Sequence, residues 1–71
     1  MATAIQELEE KRKYTLERIE YIEATIKKYK TNEGELDEEY CKEQIDFLEH
    51  GLIGYRRELY QIEAKLTALD N

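Results

Sequence analysis

The sequence predicts an all-α fold: two long helices pack antiparallel as a coiled-coil-like hairpin, and two hairpins dimerise into a four-helix bundle. The chain has 71 residues without proline. It is rich in Glu, Lys, Leu, Ile and Tyr, a composition typical of long helices and coiled coils. Apolar residues recur at spacings of three and four in both halves of the chain. One polar segment separates these two periodic halves.

The first helix is predicted near residues 3–30. Its apolar positions are Ile5, Leu8, Ile19, Ile22, Ile26 and Tyr29. The stripe passes through Arg12 and Thr15 in the middle, so this half of the pattern is less regular than the second.

The second helix is predicted near residues 37–69. Its apolar residues step by four and three without a break: Cys41, Ile45, Leu48, Leu52, Tyr55, Leu59, Ile62, Leu66 and Leu69. This is the a/d seam of a coiled coil, sustained for about four heptads. It is the strongest structural signal in the chain, and it places Cys41 as a small buried hydrophobic residue.

The turn is predicted at about residues 31–36. Asn32 and Gly34 suit a helix C-cap because both tolerate a left-handed backbone. Asp37 suits an N-cap, and Glu38 and Glu39 follow it in the first turn, where the helix dipole favours acids. Because the connection is short, the helices should pack antiparallel, and residues 1–71 should form a single helical-hairpin domain.

Reversal of the chain at this turn also predicts a register. The expected facing pairs are Ile22 with Ile45, Ile19 with Leu48, Leu8 with Leu59 and Arg12 with Tyr55. In this register Leu66 and Leu69 extend past the first helix and need a cover that one hairpin does not supply.

Self-association is predicted because apolar residues also lie outside the seam. Tyr40 and Phe47 flank it on one side of the second helix, and Ile53 and Tyr60 flank it on the other. A core in a chain this small rarely stabilises it alone, and the single cysteine excludes an intramolecular disulfide. The predicted self-association residues are Tyr14, Tyr21, Phe47, Gly51, Gly54, Tyr60, Leu66 and Leu69.

Two of the three glycines stand inside the second helix, at Gly51 and Gly54. Each costs a helix interior about 1 kcal/mol relative to alanine. One interpretation is that they allow another helix to approach the backbone closely, and that this helix belongs to a second copy of the chain. The alternative is a mild bend in a long helix that has no partner.

The net charge of -6 is concentrated near the turn, where residues 31–50 hold eight acids and one lysine. One interpretation is a solvated tip whose acids favour the helix N-terminus. The other is a docking surface for a basic protein. Its residues would be Glu35, Asp37, Glu38, Glu39, Tyr40, Glu43 and Asp46.

No catalytic, metal-binding or cofactor-binding constellation is predicted. The chain lacks serine, and its one cysteine and one histidine should point in different directions from the same helix. Asp46 and His50 are four residues apart, but the paired Glu-x-x-His motifs of bundle metal sites are missing. The acidic balance argues against direct nucleic-acid binding.

The function predicted from these patterns is a non-enzymatic assembly module that self-associates, most simply as a dimer. The alternative is a small acidic regulator or inhibitor, of the phage or mobile-element type, that blocks a basic surface of a nucleic-acid-binding protein. The N-terminus has no apolar run and no stretch approaches 18 apolar residues, so we expect neither a signal peptide nor a membrane span. A cytoplasmic location is the default expectation.

Overall fold

The computed structural model describes residues 3–32 and 34–70, and it consists of two helices. Helix α1 spans Ala4–Lys30 and helix α2 spans Glu38–Asp70. They lie side by side in a hairpin that measures 51 × 18 × 15 Å, and the described residues contain no strand. The predicted all-α hairpin is confirmed, with each observed helix boundary within one residue of its predicted position. Neither helix carries an apolar stretch of the length that a membrane span needs.

Helix α1 begins with a capping box. The backbone N–H of Gln6 donates to Thr3 Oγ1 at 3.1 Å, and the backbone N–H of Thr3 donates to Gln6 Oε1 at 3.0 Å. Two N–H groups that have no partner within the helix are thereby satisfied. At the other end Thr31 is the C-cap, and its backbone N–H donates to the carbonyl oxygens of Lys27 and Tyr29.

The connector is built around Gly34 and Asn32. Gly34 has a φ of 86°, the left-handed conformation that glycine adopts without steric cost. The Asn32 side chain donates to the Leu36 carbonyl at 2.9 Å and accepts from the Leu36 N–H at 3.0 Å. Asp37 accepts a hydrogen bond from the N–H of Glu39 at 3.3 Å, as expected of an N-cap. Glu33 lies outside the described residues.

The core lies between the helices along the predicted seam. Ile19, Ile22 and Ile26 of α1 pack around Leu52 of α2, and Ile45, Leu48, Tyr55 and Leu59 pack against this cluster. Cys41 and Ile62 are also buried, so the seam of α2 faces α1 along most of its length. Cys41 therefore takes the buried position that its place in the heptad predicted.

Thr15 has the most buried side chain among the described residues, with an exposed fraction of 2%. Its hydroxyl donates to the Lys11 carbonyl oxygen at 2.7 Å, which satisfies the polar group inside the helix. Arg12, the other interruption of the apolar stripe, remains exposed. The two interruptions therefore differ, because threonine can hide its hydroxyl against its own helix and arginine cannot hide its charge.

The register differs from the predicted one by about one heptad. The guanidinium over the Tyr55 ring belongs to Arg18, whereas the sequence placed Arg12 there. The predicted pairing is wrong because a heptad pattern repeats every seven residues, so a shift of one heptad leaves the same residues on the seam. Apolar periodicity alone cannot distinguish the two alignments.

The tip of the hairpin accounts for this shift. Glu49 lies about three turns into α2, yet its carboxylate reaches Lys30, the last residue of α1, at 3.8 Å. More than one turn of α2 therefore extends beyond the end of α1. The Tyr29 and Tyr40 rings form a T-shaped pair near the tip, with their centroids 6.3 Å apart.

The shift also covers part of the end that was expected to be unpaired. Leu66 is half-buried and lies beside Ile5 and Arg12 around a shallow pocket at the open end of the hairpin. The expectation that α1 leaves Leu66 without a neighbour is therefore wrong. Leu69 is half exposed.

Candidate interaction surface

The two flanks of the helix–helix seam differ in chemistry. One flank, which we call the ion-pair flank, carries two interhelical ion pairs. The opposite flank, which we call the glycine flank, carries aromatic rings and the two helical glycines. Its residues are Tyr14, Arg18, Tyr21, Tyr40, Phe47, Gly51 and Gly54.

The ion-pair flank joins the helices by exposed charges. Arg56 Nη2 lies 3.4 Å from Glu23 Oε1, and Lys30 Nζ lies 3.8 Å from Glu49 Oε1. At such exposure each pair contributes at most about 1 kcal/mol. Ile53 lies among these charges. Two helical turns further on, Tyr60 has an exposed fraction of 77%.

The glycine flank contains an open, mainly apolar groove of about 490 Å³. The residues that line it are Arg18, Tyr21, Ile22, Phe47, Leu48, His50, Gly51 and Tyr55. Phe47 stands at its edge with an exposed fraction of 75%. An aromatic ring that is this exposed beside an apolar groove is the kind of surface that a partner covers.

Arg18 closes one side of the groove between two tyrosine rings. Its guanidinium carbon lies 5.5 Å from the Tyr21 ring centroid and 5.9 Å from that of Tyr55, within the range of a cation–π interaction. Interaction with the Tyr55 hydroxyl raises the pKa of the guanidinium. Among the described residues the buried Nε has no hydrogen-bond partner.

Sequence reasoning did not single out Arg18. The available signal was its position three residues before Tyr21, which puts the two side chains on the same face of α1. Its contact with Tyr55 could not be predicted, because that contact depends on the interhelical register.

The two helical glycines face open space. A Cβ atom added at Gly51 or Gly54 meets nothing within 4 Å among the described residues. No contact within the hairpin therefore requires glycine at either position. Without side chains, the backbone of α2 is bare at these two points.

The structure distributes the predicted self-association residues over three places. Tyr14, Tyr21 and Phe47 are exposed, and they share the glycine flank with Gly51 and Gly54. Tyr60 belongs to the ion-pair flank, since it follows Ile53 by two turns. Leu66 and Leu69 lie at the open end. One flank thus collects five of the eight residues.

The acidic tip is exposed at all seven predicted positions: Glu35, Asp37, Glu38, Glu39, Tyr40, Glu43 and Asp46. Leu36 is half exposed beside them. Burial against the α2 start raises the pKa of the Tyr29 hydroxyl, and the neighbouring Tyr40 adds to the shift.

Possible ligand groups for a metal are dispersed. His50 Nδ1 lies 2.7 Å from the Asp46 carbonyl oxygen and 3.8 Å from Asp46 Oδ1, and both side chains are exposed. The part of the chain that the structure describes contains no group of three or more His, Cys, Asp or Glu residues placed to hold a metal ion.

Comparison of the chain with protein-family models, with curated proteins and with solved structures finds no match. Function must therefore be inferred from the surface of the hairpin itself.

Proposed function

We propose that this protein is a non-enzymatic protein–protein interaction and assembly module whose hairpin self-associates as a homodimer through helix–helix packing. The observation that supports this proposal most strongly is the amount of surface that one hairpin leaves in water. Two quantities, the accessible area and the radius of gyration, express this excess.

The hairpin exposes 6044 Å². A compact monomeric protein of 8.5 kDa exposes about 4,700 Å², so the excess is roughly 1,300 Å². The radius of gyration is 16.1 Å, compared with about 11 Å for a compact domain of this length. A single layer of two helices explains both the excess area and the large radius of gyration, because each helix is covered on one side only.

The area of one face is large enough for a stable dimer. A face that is 51 Å long and 18 Å wide amounts to about 900 Å². A standard protein–protein interface buries about 800 Å² per partner. A second hairpin stacked on one face therefore supplies the missing layer and converts two helices into a four-helix bundle.

The glycine flank is the face best suited to this contact. Charged residues are depleted in interface cores, and aromatic residues are enriched. Along α2 this flank presents Tyr40, Gln44, Phe47, Gly51 and Gly54 between residues 40 and 54, and its charged residues, Glu58 and Lys65, lie further toward the open end.

The test compares Phe47→Lys with Tyr60→Lys by sedimentation equilibrium. The two rings are almost equally exposed but lie on opposite flanks, so the variants are matched in chemistry and burial. We expect Phe47→Lys to shift the protein to monomer and Tyr60→Lys to leave the dimer intact. Equal masses for all three proteins at monomer size would refute self-association.

A second candidate function is a small acidic regulator that blocks a basic protein surface. It is favoured by the exposure of the seven tip residues together with half-exposed Leu36. Reversing the charges of Glu38, Glu39 and Glu43 would abolish salt-sensitive capture of a basic partner if the tip docks there. Loss of this capture in a protein whose mass stays dimeric would assign partner binding to the tip and self-association to the glycine flank.

A further inference from the structure

We infer that the two copies dock antiparallel, with α2 crossing α2 of the second copy at Gly51 and Gly54, so that the two acidic tips lie at opposite ends of the dimer. This inference rests on the proposed self-association, and it specifies which surface is used and in which orientation.

The position of the glycines supports a central crossing. Gly51 and Gly54 lie near the middle of α2, which spans Glu38–Asp70. Two hairpins that cross there overlap along most of their 51 Å length, whereas a crossing near either end would leave half of each face uncovered. Helices approach most closely where side chains are smallest, and both glycines have open space above the backbone.

The distribution of charge favours the antiparallel orientation. The tip half of the hairpin, residues 24–50, holds eight acids and four lysines, whereas the open half, residues 1–23 and 51–71, holds nine acids and seven bases. A parallel dimer brings the two more acidic halves together, which costs free energy by like-charge repulsion. In an antiparallel dimer each tip lies instead beside the less acidic half of the second copy.

The antiparallel arrangement also keeps like charges on the glycine flank apart. About a two-fold axis between Gly51 and Gly54, Gln44 faces Gln61 of the second copy, Tyr40 faces Lys65 and Phe47 faces Glu58. In the parallel arrangement Glu58 faces Glu58 of the second copy, and Lys65 faces Lys65 of the second copy. Like charges that face each other across an interface disfavour that arrangement.

The orientation can be tested with spin labels and pulsed electron–electron distance measurements. Cys41→Ala removes the native thiol, and Glu39→Cys then places one label per chain near the tip. Glu39 is exposed and lies outside the glycine flank. With a rise of 1.5 Å per residue, an antiparallel crossing at the glycines separates the two labels by about 40 Å.

A second labelled position near the open end provides the complementary measurement. Thr67 is also exposed. In the antiparallel dimer, labels on the Thr67→Cys residues of the two chains are separated by the same long distance. A mixture of chains labelled at residue 39 with chains labelled at residue 67 then gives a short distance, below about 25 Å, because those positions lie at the same level.

The outcomes separate this inference from the proposal on which it rests. The antiparallel dimer is supported by a long distance between labels at the same residue of the two chains (the self-distance) together with a short distance between residue 39 of one chain and residue 67 of the other (the mixed distance). A dimeric mass with a short self-distance and a mixed distance near 40 Å overturns the orientation but keeps self-association. A monomeric mass without any intermolecular coupling overturns both.

Discussion

Arg18 of α1 lies over the Tyr55 ring of α2, with the guanidinium carbon 5.9 Å from the ring centroid. This contact distinguishes the observed alignment of the helices from the alignment one heptad away, in which Arg12 would occupy the same place. The ion pair between Glu23 and Arg56 belongs to the same register. Together they fix which residues of α1 lie beside each residue of α2 on the glycine flank.

Replacing Arg18 by alanine should lower the free energy of unfolding by about 0.5–1 kcal/mol, because the cation–π contact with Tyr55 is lost. Arg12→Ala is the matched control, and it should have little effect because Arg12 is exposed. Chemical denaturation of both variants checks this. A larger loss for Arg12→Ala than for Arg18→Ala would favour the register that the sequence predicted.

Thr15→Lys should destabilise the hairpin by more than about 2 kcal/mol, since it places a charge where only 2% of the side chain is exposed. Thr67→Lys is the control. Thr67 makes the same type of hydrogen bond to the carbonyl four residues earlier, at 2.9 Å, but it is exposed. Thermal unfolding followed by circular dichroism should show a marked loss for the first variant alone. Similar melting of both variants would mean that Thr15 is not a core residue.

Stability should decline in alkaline solution in a way that depends on Tyr29. Its pKa is raised above the ordinary value of 10.0 by burial, so the folded state holds the phenol proton more tightly than the unfolded state does. The stabilisation is fully present below about pH 10 and is lost as the pH rises through the folded-state pKa. Tyr29→Phe should flatten the decline in unfolding free energy above about pH 10. Parallel declines for the variant and the unmodified protein would contradict the assignment to Tyr29.

Gly51→Ala and Gly54→Ala together should have opposite effects on folding and on association. Within one hairpin each added methyl meets no neighbour, so each change should stabilise the helix by up to about 1 kcal/mol. The same methyl groups obstruct close approach of a second α2 and should weaken the dimer. Melting in the Phe47→Lys background reports the first effect, and the dissociation constant without that change reports the second. Tighter association of the alanine variant would mean that α2 does not approach a partner at the glycines.

The sequence predicted the two helices and the seam well, because periodicity at spacings of three and four is a local property of the chain. Cys41, Leu52 and Ile62 were placed on the seam by spacing alone, and all three are buried. Gly34 was expected to adopt a left-handed backbone, and its φ of 86° confirms it.

The register could not be obtained in the same way. Shifting α2 by one heptad leaves the seam of both helices unchanged, so the alignment depends on the geometry of the connector at Asn32 and Leu36. That geometry depends on paired hydrogen bonds between Asn32 and Leu36, which residue types alone do not specify. The position of Arg18 and the neighbours of Leu66 follow from the register, so they were beyond prediction too.

Self-association is tested most directly by measuring the mass of the unmodified chain over a dilution series, together with its melting temperature at each concentration. We expect a mass of twice 8.5 kDa at high concentration and a melting temperature that falls on dilution, as linkage between folding and association requires. A single 8.5 kDa chain that melts cooperatively at one temperature, whatever its concentration, would contradict self-association.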